Sequence, residues 1–138
     1  MKQKKNLRDS VIVIVTLAAL TIPGTVLAQL PGTKRTDLQR RDLGIPGREV
    51  VQARIDIEAG VVAPRHSHPG EEIIYVIEGT FEYKLDGKPP VIVKAGEVLF
   101  IPAGVIHSAK NIGKSNAAEL ATYIVEKGKP LLVIAEKN

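Results

Sequence analysis

Hydrophobic and polar positions alternate along much of this chain with a period of two. Val50-Gln-Ala-Arg-Ile-Asp-Ile57 alternates and then stops at Gly60. Residues two apart on an extended chain share a face, so the pattern predicts a half-buried strand. Glu72–Glu78 is rich in β-branched residues and ends at Gly79. In Thr80–Leu85, Phe81, Tyr83 and Leu85 alternate with Glu82 and Lys84. Asp86-Gly87 then predicts a hairpin turn, because glycine accepts the positive φ that such turns require. Val91–Val93, Val98–Ile101, Val105–Ala109 and Leu120–Val125 follow, each bounded by Gly, Pro or Asn. Leu131–Ala135, after Pro130, adds a last short strand. Many short strands with closely spaced turns predict an all-β sandwich or closed barrel. The more polar stretch before Arg48 carries two Pro-Gly pairs and reads as an N-terminal strand plus arm over 29–47, ahead of a barrel over 48–138.

The first 28 residues break this pattern. Lys2, Lys4, Lys5 and Arg8 form a basic start, and Val11–Ile22 is an uncharged, mainly apolar run of twelve. Pro23-Gly24 ends the run, and Val26-Leu27-Ala28 offers the small residues a signal peptidase reads. This is the three-part layout of a secretory signal peptide over 1–28. Twelve residues fall short of the roughly 20 that a membrane-spanning helix needs, so no stable membrane insertion is expected after cleavage. No Arg-Arg pair precedes the run, which favours the general secretion route. The mature protein is therefore expected to be exported, to the periplasm or beyond.

Composition then narrows the chemistry. The chain has 138 residues, enough for one domain, and a net charge of +4. The signal holds four positive charges and one negative, so removing it leaves +1 and makes nucleic acid a poor partner. There is no cysteine, which excludes disulfides, cysteine-ligated zinc and a thiol nucleophile.

The candidate chemistry lies in two segments. In the first, Gly60 leads to His66-Ser-His68-Pro-Gly-Glu-Glu72. His66 and His68 are two apart and share a strand face, and Pro69-Gly70 turns the chain so that Glu72 returns to the same point. The second runs from Gly96 to Pro102-Ala-Gly104-Val-Ile-His107, with Asn111 beyond it. Its Pro-Ala-Gly turn starts a strand that carries His107 inward. Three imidazoles and one carboxylate suit one divalent transition metal (Fe, Mn, Ni, Cu or Zn) rather than the all-oxygen shell of Ca or Mg. The three histidines of the chain all fall at these positions, leaving none for a Ser-His-Asp triad.

These segments resemble the two sequence motifs of the cupin superfamily. The first motif is Gly, five residues, His-x-His, three or four residues, Glu, six residues, Gly; the chain reads Gly60, His66, His68, Glu72, Gly79. The second is Gly, five residues, Pro-x-Gly, two residues, His, three residues, Asn; the chain reads Gly96, Pro102, Gly104, His107, Asn111. The resemblance is to small single-domain cupins of the quercetin-dioxygenase-like group. It implies a double-stranded β-helix, or jelly-roll barrel, with the metal inside, and it implies a homodimer.

Four protein ligands leave an octahedral metal about two open positions for water, dioxygen or a small organic molecule. Ile74 and Val76, on the Glu72 face, with Phe81 or Tyr83 from the next strand, are expected to line a small apolar cavity. Glu71 and Tyr83 are the candidate catalytic side chains, with Tyr75 and Tyr123 as further acid–base candidates. Three readings stand. The first is a metal-dependent oxidoreductase, dioxygenase-like. The second is a non-catalytic envelope barrel that binds a small molecule. The third is a metal carrier, or a stable barrel whose folding the metal supports. A secretory signal speaks against a transcription regulator.

Overall fold

A computed structural model describes residues 30–136. The signal peptide expected over 1–28 lies outside them. Ten strands form two five-stranded sheets, and no helix occurs among the described residues. The strands are β1 (Thr33–Asp42), β2 (Arg48–Ile57), β3 (His66–Ser67), β4 (Gly70–Glu78) and β5 (Thr80–Leu85). They continue as β6 (Val91–Lys94), β7 (Val98–Ile101), β8 (His107–Asn111), β9 (Ala117–Glu126) and β10 (Val133–Ile134). One sheet has the order β1-β2-β9-β4-β7 and the other β10-β3-β8-β5-β6, antiparallel throughout. This is the jelly roll that the strand spacing and the motifs predict.

Alternation decides which side chains fill the space between the sheets. In β4, Glu72, Ile74 and Val76 are buried while Ile73, Tyr75 and Ile77 face out. In β5, Phe81, Tyr83 and Leu85 turn inward, and in β9 so do Ala117, Glu119, Ala121, Tyr123 and Val125. Ile74, Val76 and Phe81 pack with Ile57, Val93 and Ile101 into a closed aliphatic core. A Cβ at Gly70 would stand 2.1 Å from the Ile124 carbonyl oxygen, so only glycine fits where β4 begins. Gly79, at φ +81°, turns β4 into β5 with Ala117 packed against it.

Three elements differ from the alternation reading, each for a local reason. The stretch read as strand plus arm holds β1, which pairs with β2 from Thr33↔Ile57 to Asp42↔Glu49 with a register shift between Asp37 and Gln39. It is an edge strand and largely exposed, so no apolar period marks it. β8 starts at His107 instead of Val105, because Val105 N–H closes the Pro102 turn and its carbonyl accepts from the His107 ring. β10 is only Val133–Ile134, since the Leu131 carbonyl is turned toward His68.

Candidate metal centre

The two motifs meet where β3 and β8 pair. His66 and His107 are direct register partners, with ring centroids 4.3 Å apart. His68 follows two residues after His66, its ring 4.9 Å from His66 and 5.3 Å from His107. The Gly104 N–H donates to the His68 carbonyl at 3.1 Å, which ties the Pro-Ala-Gly turn of the second motif to the His-x-His of the first. One nitrogen from each imidazole lies within 4.8 Å of the others.

Backbone carbonyls orient all three rings. His66 Nδ1 donates to Pro64 O at 2.7 Å, His68 Nδ1 to Leu131 O at 2.7 Å, and His107 Nδ1 to Val105 O at 2.9 Å. A carbonyl only accepts, so the ring proton sits on Nδ1 in each case and Nε2 is left with its lone pair. Such outer hydrogen bonds are how metal-binding imidazoles are fixed in tautomer and direction. Glu72 comes from β4 on the facing sheet, its Oε2 3.3 Å from His68 Nε2 and 3.1 Å from His107 Nε2. His68 Nε2 and Glu72 Oε2 are buried and have no aligned hydrogen-bond partner. Buried acceptors this close repel unless a cation or a proton lies between them. The three imidazoles could hold a metal ion, with the Glu72 carboxylate beside them, and this donor chemistry suits a transition metal.

Without metal, the electrostatics favour a charged Glu72 facing the imidazoles. Burial works against the Glu72 carboxylate, but the His107 and His68 contacts outweigh it and hold the group down at about 2. Burial also works against the His107 cation, and the contact with Glu72 more than offsets this, raising its pKa. Burial, with the neighbouring imidazoles, holds His66 down at about 4 despite the Pro64 carbonyl.

A cavity of about 370 Å³ opens beside these side chains. Its wall is largely aliphatic, with Ile55, Ile57, Ala63, Ala109 and Leu131. Tyr83 and Tyr123 line it, as the sequence allows. Ile74, Val76 and Phe81 do not: they are sealed in the core behind it, because the inward faces of β4 and β5 meet each other beyond Glu72 and Tyr83. Glu71 and Tyr75 alternate out of phase with Glu72 and do not line the cavity, and Tyr75 is exposed. Two charged cavity residues were not expected. Arg35 of β1 places its guanidinium 5.6 Å from the centre of the Tyr123 ring. Glu119 of β9 is buried, and its Oε2 accepts a hydrogen bond from the Tyr83 hydroxyl. Extending the β9 alternation backwards from Tyr123 through Ala121 would have found Glu119.

A family model described as "Cupin domain" matches residues 53–125, which hold both motifs. The chain belongs to the cupin family. This cupin is similar to a germin-like protein of Morus alba, at 31% identity over 105 residues, covering 72% of this chain and 50% of that one. It is 39% identical over 90 residues to germin-like protein subfamily 2 member 2 of Arabidopsis thaliana, covering 57% of this chain and 40% of that one. The cupin thus spans half or less of the length of these relatives. Among solved structures it is similar to an oxalate oxidase in complex with glycolate, with TM-score 0.63 and 26% identity over 78% of this chain and 57% of that one. A double-stranded β-helix protein from Klebsiella pneumoniae, at TM-score 0.64 and 21% identity, covers 78% of this chain and 87% of its own, and shows the shared fold. These matches support the cupin family and do not single out its quercetin-dioxygenase-like group.

Proposed function

We propose that this cupin is an exported, metal-dependent oxidoreductase that acts on a small organic molecule. One divalent transition metal is held by His66, His68, Glu72 and His107. The observation that carries the reading is the convergence of three carbonyl-oriented Nε2 atoms and a buried, unpartnered carboxylate oxygen beside a 370 Å³ cavity. A bound Fe, Mn, Ni or Cu would supply Lewis acidity and electron transfer there. The chain's own part is to bind and orient. The aliphatic wall keeps bulk water from a compact ligand, and Arg35, whose Nε pairs with Asp37 at 2.7 Å, is the cation at its edge. Similarity to oxalate oxidase supports redox chemistry on a small acid, and the signal-like N-terminus supports export.

The test is elemental analysis of the protein purified from its native compartment, followed by oxygen-uptake assays. The assays cover oxalate, other small organic acids, phenols and diketones. One equivalent of transition metal and metal-dependent oxygen uptake with a member of that panel is the expected result. Full metal content with no turnover overturns the enzyme reading in favour of a non-catalytic binding barrel. Absence of transition metal from the native protein overturns the metal centre.

A further inference from the structure

Glu119 stands apart from the motif residues. It lies on β9 opposite Val76 of β4 and Ile55 of β2, and only 5% of it is exposed. A carboxyl in such a place carries a solvation cost of several kcal/mol if ionised, and aliphatic packing there would avoid it. The carboxyl nevertheless lines the same cavity as His66, Glu72 and His107. Its one side-chain hydrogen bond among the described residues comes from Tyr83, itself 1% exposed and on the cavity wall.

We propose that Glu119 and Tyr83 form a second anchor of the ligand site, which holds an acceptor oxygen of the bound molecule while the metal side holds another. The inference rests on the metal reading above. Burial first, and the charge of Glu72 second, push the Glu119 carboxyl up to about 8, against the Tyr83 hydrogen bond. In the metal-free chain it is thus mostly protonated at neutral pH, and burial, the larger cause, remains when the charge of Glu72 is offset by a metal. Tyr83 donates to one of its oxygens, which leaves the acid O–H to give to the ligand. A carbonyl or carboxylate oxygen satisfies that donor, whereas a bare hydrocarbon or C–H group does not. The pair therefore suits compact oxo compounds and organic acids over hydrocarbons of the same size. Discrimination of this kind is strong because a ligand without the oxygen leaves a buried donor unpaired.

The experiment uses the Mn(II)-loaded protein with pyruvate as the probe and azide as a ligand for the metal alone, both followed by calorimetry. Glu119→Leu fills the volume without a donor, and Glu119→Gln keeps an N–H donor. Glu119→Leu should retain wild-type Mn(II) content and azide affinity while pyruvate binding weakens about tenfold, the loss of one hydrogen bond. Glu119→Gln should stay within about threefold of wild type. Unchanged pyruvate affinity in Glu119→Leu overturns the proposal, as does absence of pyruvate binding to Mn(II)-loaded wild type. Should Glu119→Leu not fold, infrared difference spectra of the wild type decide. Pyruvate should shift a protonated-carboxyl band that is missing from Glu119→Gln, and an unmoved band overturns the anchor. Wild-type protein that takes up no Mn(II) overturns the metal reading and this inference with it. Full metal content with an indifferent Glu119 overturns this inference alone.

Discussion

The Leu131 carbonyl accepts the Nδ1 hydrogen of His68 at 2.7 Å, across 63 positions of sequence. The segment that follows β9 therefore helps orient a side chain of the candidate metal centre. It is docked further by the Val133↔Ser67 and Ile134↔His66 pairs and by the Ala135 N–H to Arg65 O bond at 2.9 Å. Deleting 130–138 should free the His68 ring and weaken metal binding about 10- to 100-fold, the usual effect of removing an outer partner of a metal-binding histidine. The two sheets should persist, because β10 sits at an edge. Metal affinity and circular dichroism of the truncated chain check both halves, and unchanged affinity would show that Leu131 does not matter to the site.

The ligand set makes a second prediction. His66→Ala and His107→Ala each remove one of two register-paired imidazoles and should lose most bound metal after dialysis, as measured by elemental analysis. Both replaced side chains border the cavity, and His107 is the more buried. Full occupancy in both variants would rule out the assignment.

Much of this site was legible because its residues obey two simple periods. His66 and His68 are two apart on one strand face, and the resemblance to the two cupin motifs implied that His107 joins them, which the β3–β8 pairing does. Glu119 was missed because β9 begins at Ala117, whose alanines carry too little apolar signal to extend the strand that Leu120–Val125 announces. Arg35 was missed because β1 pairs through its backbone at an edge while its side chains stay largely exposed. Ile74 and Val76 show the converse limit. Alternation correctly turned them inward, but depth along a strand, which separates cavity wall from core, is set by the partner sheet.

Asn111, the last residue of the second motif, is fully buried and does structural work. Its side-chain amide donates to Ile57 O and Ser115 O at 2.8 Å each, and its oxygen accepts from the Gly113 N–H at 2.9 Å. Asn111→Ala leaves those backbone groups unpaired and should cost about 3 kcal/mol of stability. At temperatures where the variant is folded it should still bind metal. Denaturant melts alongside metal content separate the two effects, and loss of metal from a fully stable variant would refute the structural role.

Acid should release the metal in a defined order. The contact with Glu72 raises the His107 pKa, so a proton competes with the metal at His107 already near and above 6.5. His66 stays neutral down to about 4 and adds to the competition only there. Metal content after dialysis against chelator should thus be high at about pH 7.5, fall through about pH 6, and be low at about pH 4.5. Undiminished content at the lowest of these would contradict the histidine ligation.

In the metal-free protein, Glu119 should make stability fall as pH rises. Its carboxyl titrates at about 8 when folded, with burial the chief cause, against 4.5 for the ordinary group. Between those values the folded chain holds a proton that the unfolded chain has lost. The unfolded state then binds fewer protons than the native one, so the slope of unfolding free energy with pH is negative across that window. The contribution is complete below about 4.5 and is lost as pH climbs through about 8. Glu72 and His66 have the opposite sign and act on the acid side, between about 2 and 4.5 for Glu72 and between about 4 and 6.5 for His66. His107, its pKa raised, shares the sign of Glu119, and comparison with a Glu119 variant separates Glu119 from these. Glu119→Gln removes the titration while keeping the shape of the side chain. Its stability relative to wild type, from denaturant melts with chelator present, should therefore improve steadily from about pH 6.5 to about pH 8.5. A constant difference over that interval would mean that Glu119 is ionised in the folded protein, and the neutral acid on the cavity wall would have to be given up.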